Sequence, residues 1–482
     1  MDNQETVSNF GPELIFAIVR PVGVDRDVVV DAFRRQLATF EYDLEHIRIS
    51  ETIENLLPDG VELPRKTYEK TDALIKHGDR ICEENKSSAA LAASAIVQIQ
   101  VLRAEHGCSE TERRQRTAYL IDSVKRTQEV ELLKSVYGDR FIQIALMSDD
   151  VKRRTRLVEL FRTENFGDPD SEHDEKATRL MGRDQKEGTK YGQNVSKVFP
   201  KSDLFIDADQ NVDDQLERFL NLLFGSPEYS PPSKLEFGMN MAYIASTRSP
   251  ELGLKVGAAI LDRNWHVLSL GFNAHPTNPQ ESPLFDRSKS SIKALVLDTL
   301  RRMEPLLIEE VKEGLDRDPE DFVTELLQNG ELKESQLQDL TEFQIPVHAE
   351  MSALLDGLGR GGIGEGDTLY VTAYPCHNCA KHVMSANLDV VYLEPYPKSR
   401  AENMYGSGTQ KFKPFFGISP KRYDTLFRVE GDRKDAEGSR SPWSREERRQ
   451  ALPKVGRFDE FVGSESERET AAISEELSAA DI

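Results

Sequence analysis

His348 and Glu350, spaced i,i+2 in "IPVHAEMSALLDGLG", and Cys376 and Cys379, spaced i,i+3 in "PCHNC", are the residues of this 482-residue chain whose types and spacing could do chemistry. Imidazole nitrogen and thiolate sulfur both ligate zinc, and a catalytic zinc takes three protein ligands and keeps its fourth position for water. His348, Cys376 and Cys379 supply that set, for one Zn2+ per chain. Glu350 is then the catalytic carboxylate rather than a ligand: it takes a proton from the activated water and returns it to a leaving nitrogen. Such a constellation suits hydrolytic deamination, in which water adds to a carbon bearing an exocyclic amine and ammonia departs.

Other readings of the same residues stand beside this one. A lone H-x-E carries little information, and a lone C-x-x-C is usually a structural metal site or a redox pair. A four-cysteine structural zinc is hard to assemble, because Cys82 and Cys108 lie far upstream with no second C-x-x-C. A thioredoxin-like pair would leave His348 and Glu350 without a role. His377, between the cysteines, falls on another helix face and is not counted as a ligand.

The elements that must hold these groups are legible around them. His348 opens a helix whose Met351, Leu354, Leu355 and Leu358 share one apolar face. "DTLYVTAY" is a strand that ends at the cysteines, a helix follows from about Cys376 to Asn387, and "DVVYLEPY" is the next strand. Pro375 suits the helix entry, where its missing N–H has no intrahelical partner. Strand, helix, strand at this length predicts a right-handed parallel crossover. Upstream, the apolar runs Val256 to Leu261 and Val267 to Gly271 flank "DRNWH" as a hairpin.

Farther out, strand-like runs at "ELIFAIV", "RFIQIALMS" and "SDLFIDAD", each followed by a helix-compatible segment, predict a parallel sheet. The expected organisation is a parallel-sheet domain over 10–224, a Pro/Ser-rich linker over 225–233 and a second α/β domain over 234–430. The second domain carries a helical insertion over 276–344, in which Ile292, Leu295, Thr299, Leu300, Met303 and Leu307 form a packed stripe. The polar stretch 431–482 is poor in apolar residues, and much of it is expected to lack fixed structure.

Composition narrows the classes. The net charge of −22 disfavours broad contact with a polyanion such as duplex DNA. No run approaches the roughly 18 apolar residues of a membrane span, and the first residues resemble no signal peptide, so the expected address is the cytoplasm. The four cysteines are too few and scattered for a disulfide framework.

H-x-E followed by P-C-x-x-C is the zinc deaminase pattern, and with it the chain resembles the cytidine and deoxycytidylate deaminase superfamily. "KVGAAILD" and "GFNAHP" extend the likeness, which implies a three-layer α/β/α fold and makes Asn273 a candidate for holding a ribose hydroxyl. Arg248, Lys255, Lys398 and Arg400 flank the core motifs, and phosphate recognition would need two or more of them. Taken with "YGQNVSKVFPKSDLFIDAD", "YLEPYPKSRA" and "FKPFFGISPKRYDTLF", the chain is similar to bacterial anti-phage dCTP deaminases carrying an N-terminal P-loop, nucleotide-kinase-like domain. That resemblance implies conversion of dCTP or dCMP to the deoxyuridine nucleotide, depletion of a phage DNA precursor, and homo-oligomers.

The first domain departs from a working kinase. A phosphate loop requires G-x-x-x-x-G-K-[ST], whereas "RPVGVDRD" has Arg20 at the first glycine and Asp25, Arg26 and Asp27 at the G-K-S positions, leaving Gly23 as the loop's glycine. The domain is therefore expected to be degenerate, either a purely structural partner or the seat of a regulatory nucleotide or infection cue. Two further functional readings remain: a cytosine deaminase acting on single-stranded nucleic acid, which would need stacking aromatics and a basic groove, and a non-catalytic nucleotide sensor with structural zinc.

Overall fold

The computed structural model describes residues 11–477 apart from 59, 110–111, 166, 168, 186–190, 229, 279–286, 334, 336, 338–339, 341–344, 395–399, 430–432, 435–436, 440–442 and 456–461. The chain divides into two compact units: one formed by residues up to Glu236 together with those from Phe416 onward, the other by Phe237–Phe415.

The first unit is built on strands β1 (Leu14–Val19), β2 (Asp43–Arg48), β3 (Thr117–Asp122), β4 (Phe141–Met147) and β5 (Leu204–Asp207). They run parallel in the order β2-β3-β1-β4-β5. β1 and β3 are buried throughout, as the continuous apolar runs of a sheet covered on both faces require. β2, "DLEHIR", lies at the sheet edge and is largely polar, which hides it from a search for apolar runs.

The second unit carries β6 (Gly257–Leu261), β7 (Val267–Phe272), β8 (Thr368–Ala373), β9 (Asp389–Glu394) and β10 (Phe412–Pro414) in the order β10-β9-β8-β6-β7. β6 is antiparallel to β7 and to β8, while β8, β9 and β10 are mutually parallel. The predicted hairpin and the parallel crossover are both present in this mixed α/β sheet. Its core joins Ala258 and Ile260 of β6, Leu369 and Val371 of β8 and Val390 of β9 to Ala353 and Leu354 of the helix Ala349–Gly359 and to Val383 of the helix His377–Ser385.

Three details differ from the sequence reading. Residues 416–430 belong to the first unit, not the second: β11 (Gly417–Ile418) pairs antiparallel with β5, and Ile418, Leu426 and Phe427 complete the first unit's core beside Leu204 and Leu216. Within the insertion, the buried positions of the helix Arg287–Met303 are Ile292 and Val296, which meet Val323 and Leu327 of the helix Pro319–Gln328, while Met303 is exposed. Finally, the polar stretch beyond 431 contains a helix, Val462–Glu476, that is part of the first unit. Its Glu465 and Glu469 are buried against arginines: Arg103 donates to Glu469 at 2.8 and 2.9 Å and to Glu13 at 2.7 and 3.0 Å, and Arg113 donates to Glu465 at 2.9 Å. Composition reads such glutamates as solvated, and only their buried partners make them interior residues.

Candidate metal centre and active site

His348 is the N-cap of the helix Ala349–Gly359, and its side chain makes no capping hydrogen bond. The first amides of a helix need acceptors from outside it, and here one comes from the residue just past β7. Asn273 Oδ1 accepts from the Ala349 N–H at 2.9 Å, and Asn273 Nδ2 donates to the Leu254 carbonyl at 3.2 Å. Just upstream, Ala274 and Val347 exchange backbone hydrogen bonds of 3.2 and 2.9 Å. The backbone is therefore pinned on both sides of His348.

The helix itself lies tightly on β7. At Gly271 an added Cβ would sit 2.1 Å from the Ala349 carbonyl oxygen and 2.4 Å from the Ala353 nitrogen, so only glycine admits this approach. On the other side of the centre, β8 leads into Cys376, the N-cap of the helix His377–Ser385, whose Sγ accepts from the Cys379 N–H at 3.5 Å. The Tyr405 hydroxyl donates to the His377 carbonyl at 3.1 Å and steadies the same turn.

Ligand atoms of His348, Cys376 and Cys379 all lie within 4.8 Å of one another. His348 Nδ1 is 3.4 Å from Cys376 Sγ and 3.5 Å from Cys379 Sγ. A tetrahedral zinc held at about 2.3 Å from sulfur and about 2.0 Å from nitrogen separates those two atoms by about 3.5 Å. The donor set fits zinc in kind, number and spacing. Both cysteines sit at a helix N-terminus, whose partial positive charge favours thiolate. Hydrogen bonds from Cys379 and from His348 pull the Cys376 thiol down to about 4, and the shared proton pushes Cys379 up.

Glu350 is 3 % exposed, and its carboxyl is pushed up to about 7 by burial first and by the Cys376 charge second, with His348 acting the other way. A buried carboxyl poised near neutrality beside a metal-ligand set is suited to move protons.

The remaining sequence-nominated residues are dispersed. Asn273 has its oxygen and one amide donor committed to backbone, so in this structure it positions the helix that carries the centre. The sequence reading missed that role, although a signal existed: a helix whose N-cap is needed as a metal ligand must find its acceptor elsewhere. Arg248 stacks over the Phe272 ring at 4.5 Å and lines a groove with His275 and Arg360 to which none of His348, Glu350, Cys376 and Cys379 contributes. Lys255 is exposed ahead of β6, and Arg400 opens the helix Arg400–Tyr405. Lys398 lies outside the described residues. Gly23 adopts φ +85°, and a Cβ added there would lie 2.9 Å from the Arg153 carbonyl oxygen in the first unit.

Residues 232–394 match the family described as the cytidine and deoxycytidylate deaminase zinc-binding region. The deoxycytidylate deaminase of Enterobacteria phage T2 is 27% identical over 171 residues, spanning 34% of this chain and 80% of the relative. That of Enterobacteria phage T4 is 28% identical over 172 residues, spanning 34% and 78%. A crystal structure of the dCMP deaminase from the cyanophage S-TIM5, in complex with dCMP and dUMP, aligns with 39% of this chain and 100% of its own at 17% identity and a TM-score of 0.24.

Proposed function

We propose that the second unit is a zinc-dependent hydrolytic deaminase of deoxycytidine nucleotides, with dCMP as the first substrate to consider. The observation that carries this reading is the convergence of His348, Cys376 and Cys379 in zinc geometry with the buried, near-neutral Glu350 beside them. The match of residues 232–394 to the deaminase zinc-binding region supports it.

His348, Cys376 and Cys379 would hold the ion. When bound, zinc supplies a water whose pKa falls from about 15.7 towards about 7. Glu350 takes the proton that the water gives up as its oxygen bonds to the carbon bearing the exocyclic amine, and delivers it to the adjacent ring nitrogen. A second proton passes through the same carboxylate to the amine, which leaves as ammonia while the carbonyl forms. One carboxylate serves as base and then acid, and a pKa near the working pH is what both halves require.

The reading extends to dCTP, whose removal would deprive an infecting phage of a DNA precursor, and to self-association of the chain. It is tested by offering the zinc-loaded protein dCMP, dCTP, deoxycytidine, CTP and a cytosine-bearing oligonucleotide. Deoxyuridine nucleotide is expected from dCMP or dCTP and not from the Glu350→Ala variant. Turnover of the oligonucleotide alone would replace this reading with a nucleic-acid deaminase, and silence from protein with one zinc bound per chain would leave a structural metal.

A further inference from the structure

Asn273, whose Oδ1 accepts the Ala349 N–H beside His348, is itself held from one stretch of chain. Its N–H donates to the Val256 carbonyl at 3.3 Å, its Nδ2 donates to the Leu254 carbonyl at 3.2 Å, and its own carbonyl accepts from the Ser249 hydroxyl at 2.9 Å. Asn273 thus joins the segment 249–256 to the first residue of the helix that carries Glu350. Val256 and Leu254 act through backbone carbonyls. Ser249 acts through its side chain, so its hold is the one a substitution can remove.

The local sequence explains how Ser249 comes to this place. The helix Lys234–Ser246 ends just before it, with the Ser249 N–H donating to the Ser246 carbonyl at 3.0 Å. Pro250 follows, and a proline disfavours helical backbone at the residue before it. The helix lies on β6 without slack: a Cβ added at Gly257 would sit 2.0 Å from the Ala242 carbonyl oxygen and 2.3 Å from the Ser246 nitrogen. Arg248, stacked over the Phe272 ring at 4.5 Å, ties the same turn to the end of β7. Ser249 is 3 % exposed, and its Oγ also accepts the Glu251 N–H at 3.4 Å, so the single hydroxyl proton is directed to the Asn273 carbonyl.

We propose that Ser249 is a positioning residue of the metal centre: through the Asn273 carbonyl it fixes the side chain that caps the helix of His348 and Glu350, and so holds that ligand and that carboxylate in register with Cys376 and Cys379. Without the hydroxyl the Asn273 carbonyl loses its donor, and any displacement of Asn273 passes directly to the Ala349 N–H.

Transfer of zinc from the full-length protein to a chelator, measured beside dCMP turnover, tests this on Ser249→Ala. Zinc release should be at least about fivefold faster, and kcat should fall about tenfold with KM within about twofold, because the displaced helix carries the reacting groups. Ser249→Thr, which keeps the hydroxyl, should restore both. Thr247→Ala removes a hydroxyl that donates to the Ile244 carbonyl at 2.7 Å just past the same helix, and should leave both unchanged. In an Asn273→Ala background the route is already cut, so adding Ser249→Ala should change zinc release by less than about twofold. The kinetic arm rests on the proposed deamination, whereas zinc release is measurable on protein that turns over no nucleotide, so failure of that reading leaves this test standing. Wild-type zinc release in Ser249→Ala, a Ser249→Thr protein as impaired as Ser249→Ala, or additive losses in the double variant would each overturn the assignment.

Discussion

Gly271→Ala tests whether the close approach of a helix to β7 sets the geometry of the proposed active centre. The new Cβ would lie 2.1 Å from the Ala349 oxygen, 2.4 Å from the Ala353 nitrogen and 2.9 Å from the Ala353 Cβ. Two of these contacts are backbone, so no side chain can swing aside. Ordinary contact at about 3.5 Å requires the helix to retreat by more than about 1 Å. The displaced residues are neighbours of His348 and Glu350, and a displacement of about 1 Å at a reacting geometry costs on the order of 10²-fold in rate. Overpacking adds a stability loss of about 1–3 kcal/mol, which for a unit of this size lowers the melting temperature by roughly 2–4 °C per kcal/mol. The assay is dCMP deamination with zinc content and thermal denaturation measured on the same preparation. Gly359→Ala, on the same helix and facing open space, is the control and should leave both readouts unchanged. Wild-type turnover and melting temperature in Gly271→Ala would show that the helix position is soft and that the centre does not depend on it.

Three further outcomes are expected. Asn273→Ala removes the acceptor for the Ala349 N–H and should weaken zinc retention against a chelator and lower stability by about 1–2 kcal/mol; unchanged zinc affinity would return Asn273 to a substrate role. Glu350→Gln should cut deamination by roughly 10²- to 10⁴-fold. In the metal-free protein the same change should stabilise, because the folded carboxyl sits at about 7 against an ordinary 4.5. Below the lower value both states are protonated and no cost exists, whereas above the higher value burial of the ionised carboxylate costs about 3 kcal/mol. Urea unfolding of the chelated protein should therefore show a gain at pH 8 that shrinks to under about 1 kcal/mol at pH 5, and a gain independent of pH would contradict the assigned cause. Glu469→Ala leaves buried Arg103 with Glu13 at 2.7 Å and Glu465 at 3.6 Å, takes one carboxylate from Arg113 as well, and should cost the first unit about 3–5 kcal/mol, read as an earlier denaturant transition; a loss under about 1 kcal/mol would mean that water or the remaining glutamates replace the carboxylate.

The candidate centre was legible because the chemistry proposed for it imposes local spacing. His348 and Glu350 share one helix start, Cys376 and Cys379 another, and such pairs are fixed by helical geometry whatever surrounds them. The hairpin of β6 and β7 and the parallel pair β8 and β9 were readable for the same reason, since strand periodicity and turn residues act over a few positions. What the sequence alone determined was thus the donor set and the elements that carry it. Tertiary structure decided the rest. It brought His348 to within 3.5 Å of Cys376 and Cys379, 28 and 31 residues away, raised the Glu350 carboxyl by burying it, and set the Asn273 side-chain oxygen on the Ala349 N–H beside His348. It placed residues 416–430 and the helix Val462–Glu476 in the first unit, where Glu465 and Glu469 find arginines far away in sequence. Composition and periodicity see one segment at a time, whereas burial, charge pairing and the approach of one backbone to another depend on partners that only the folded chain brings near.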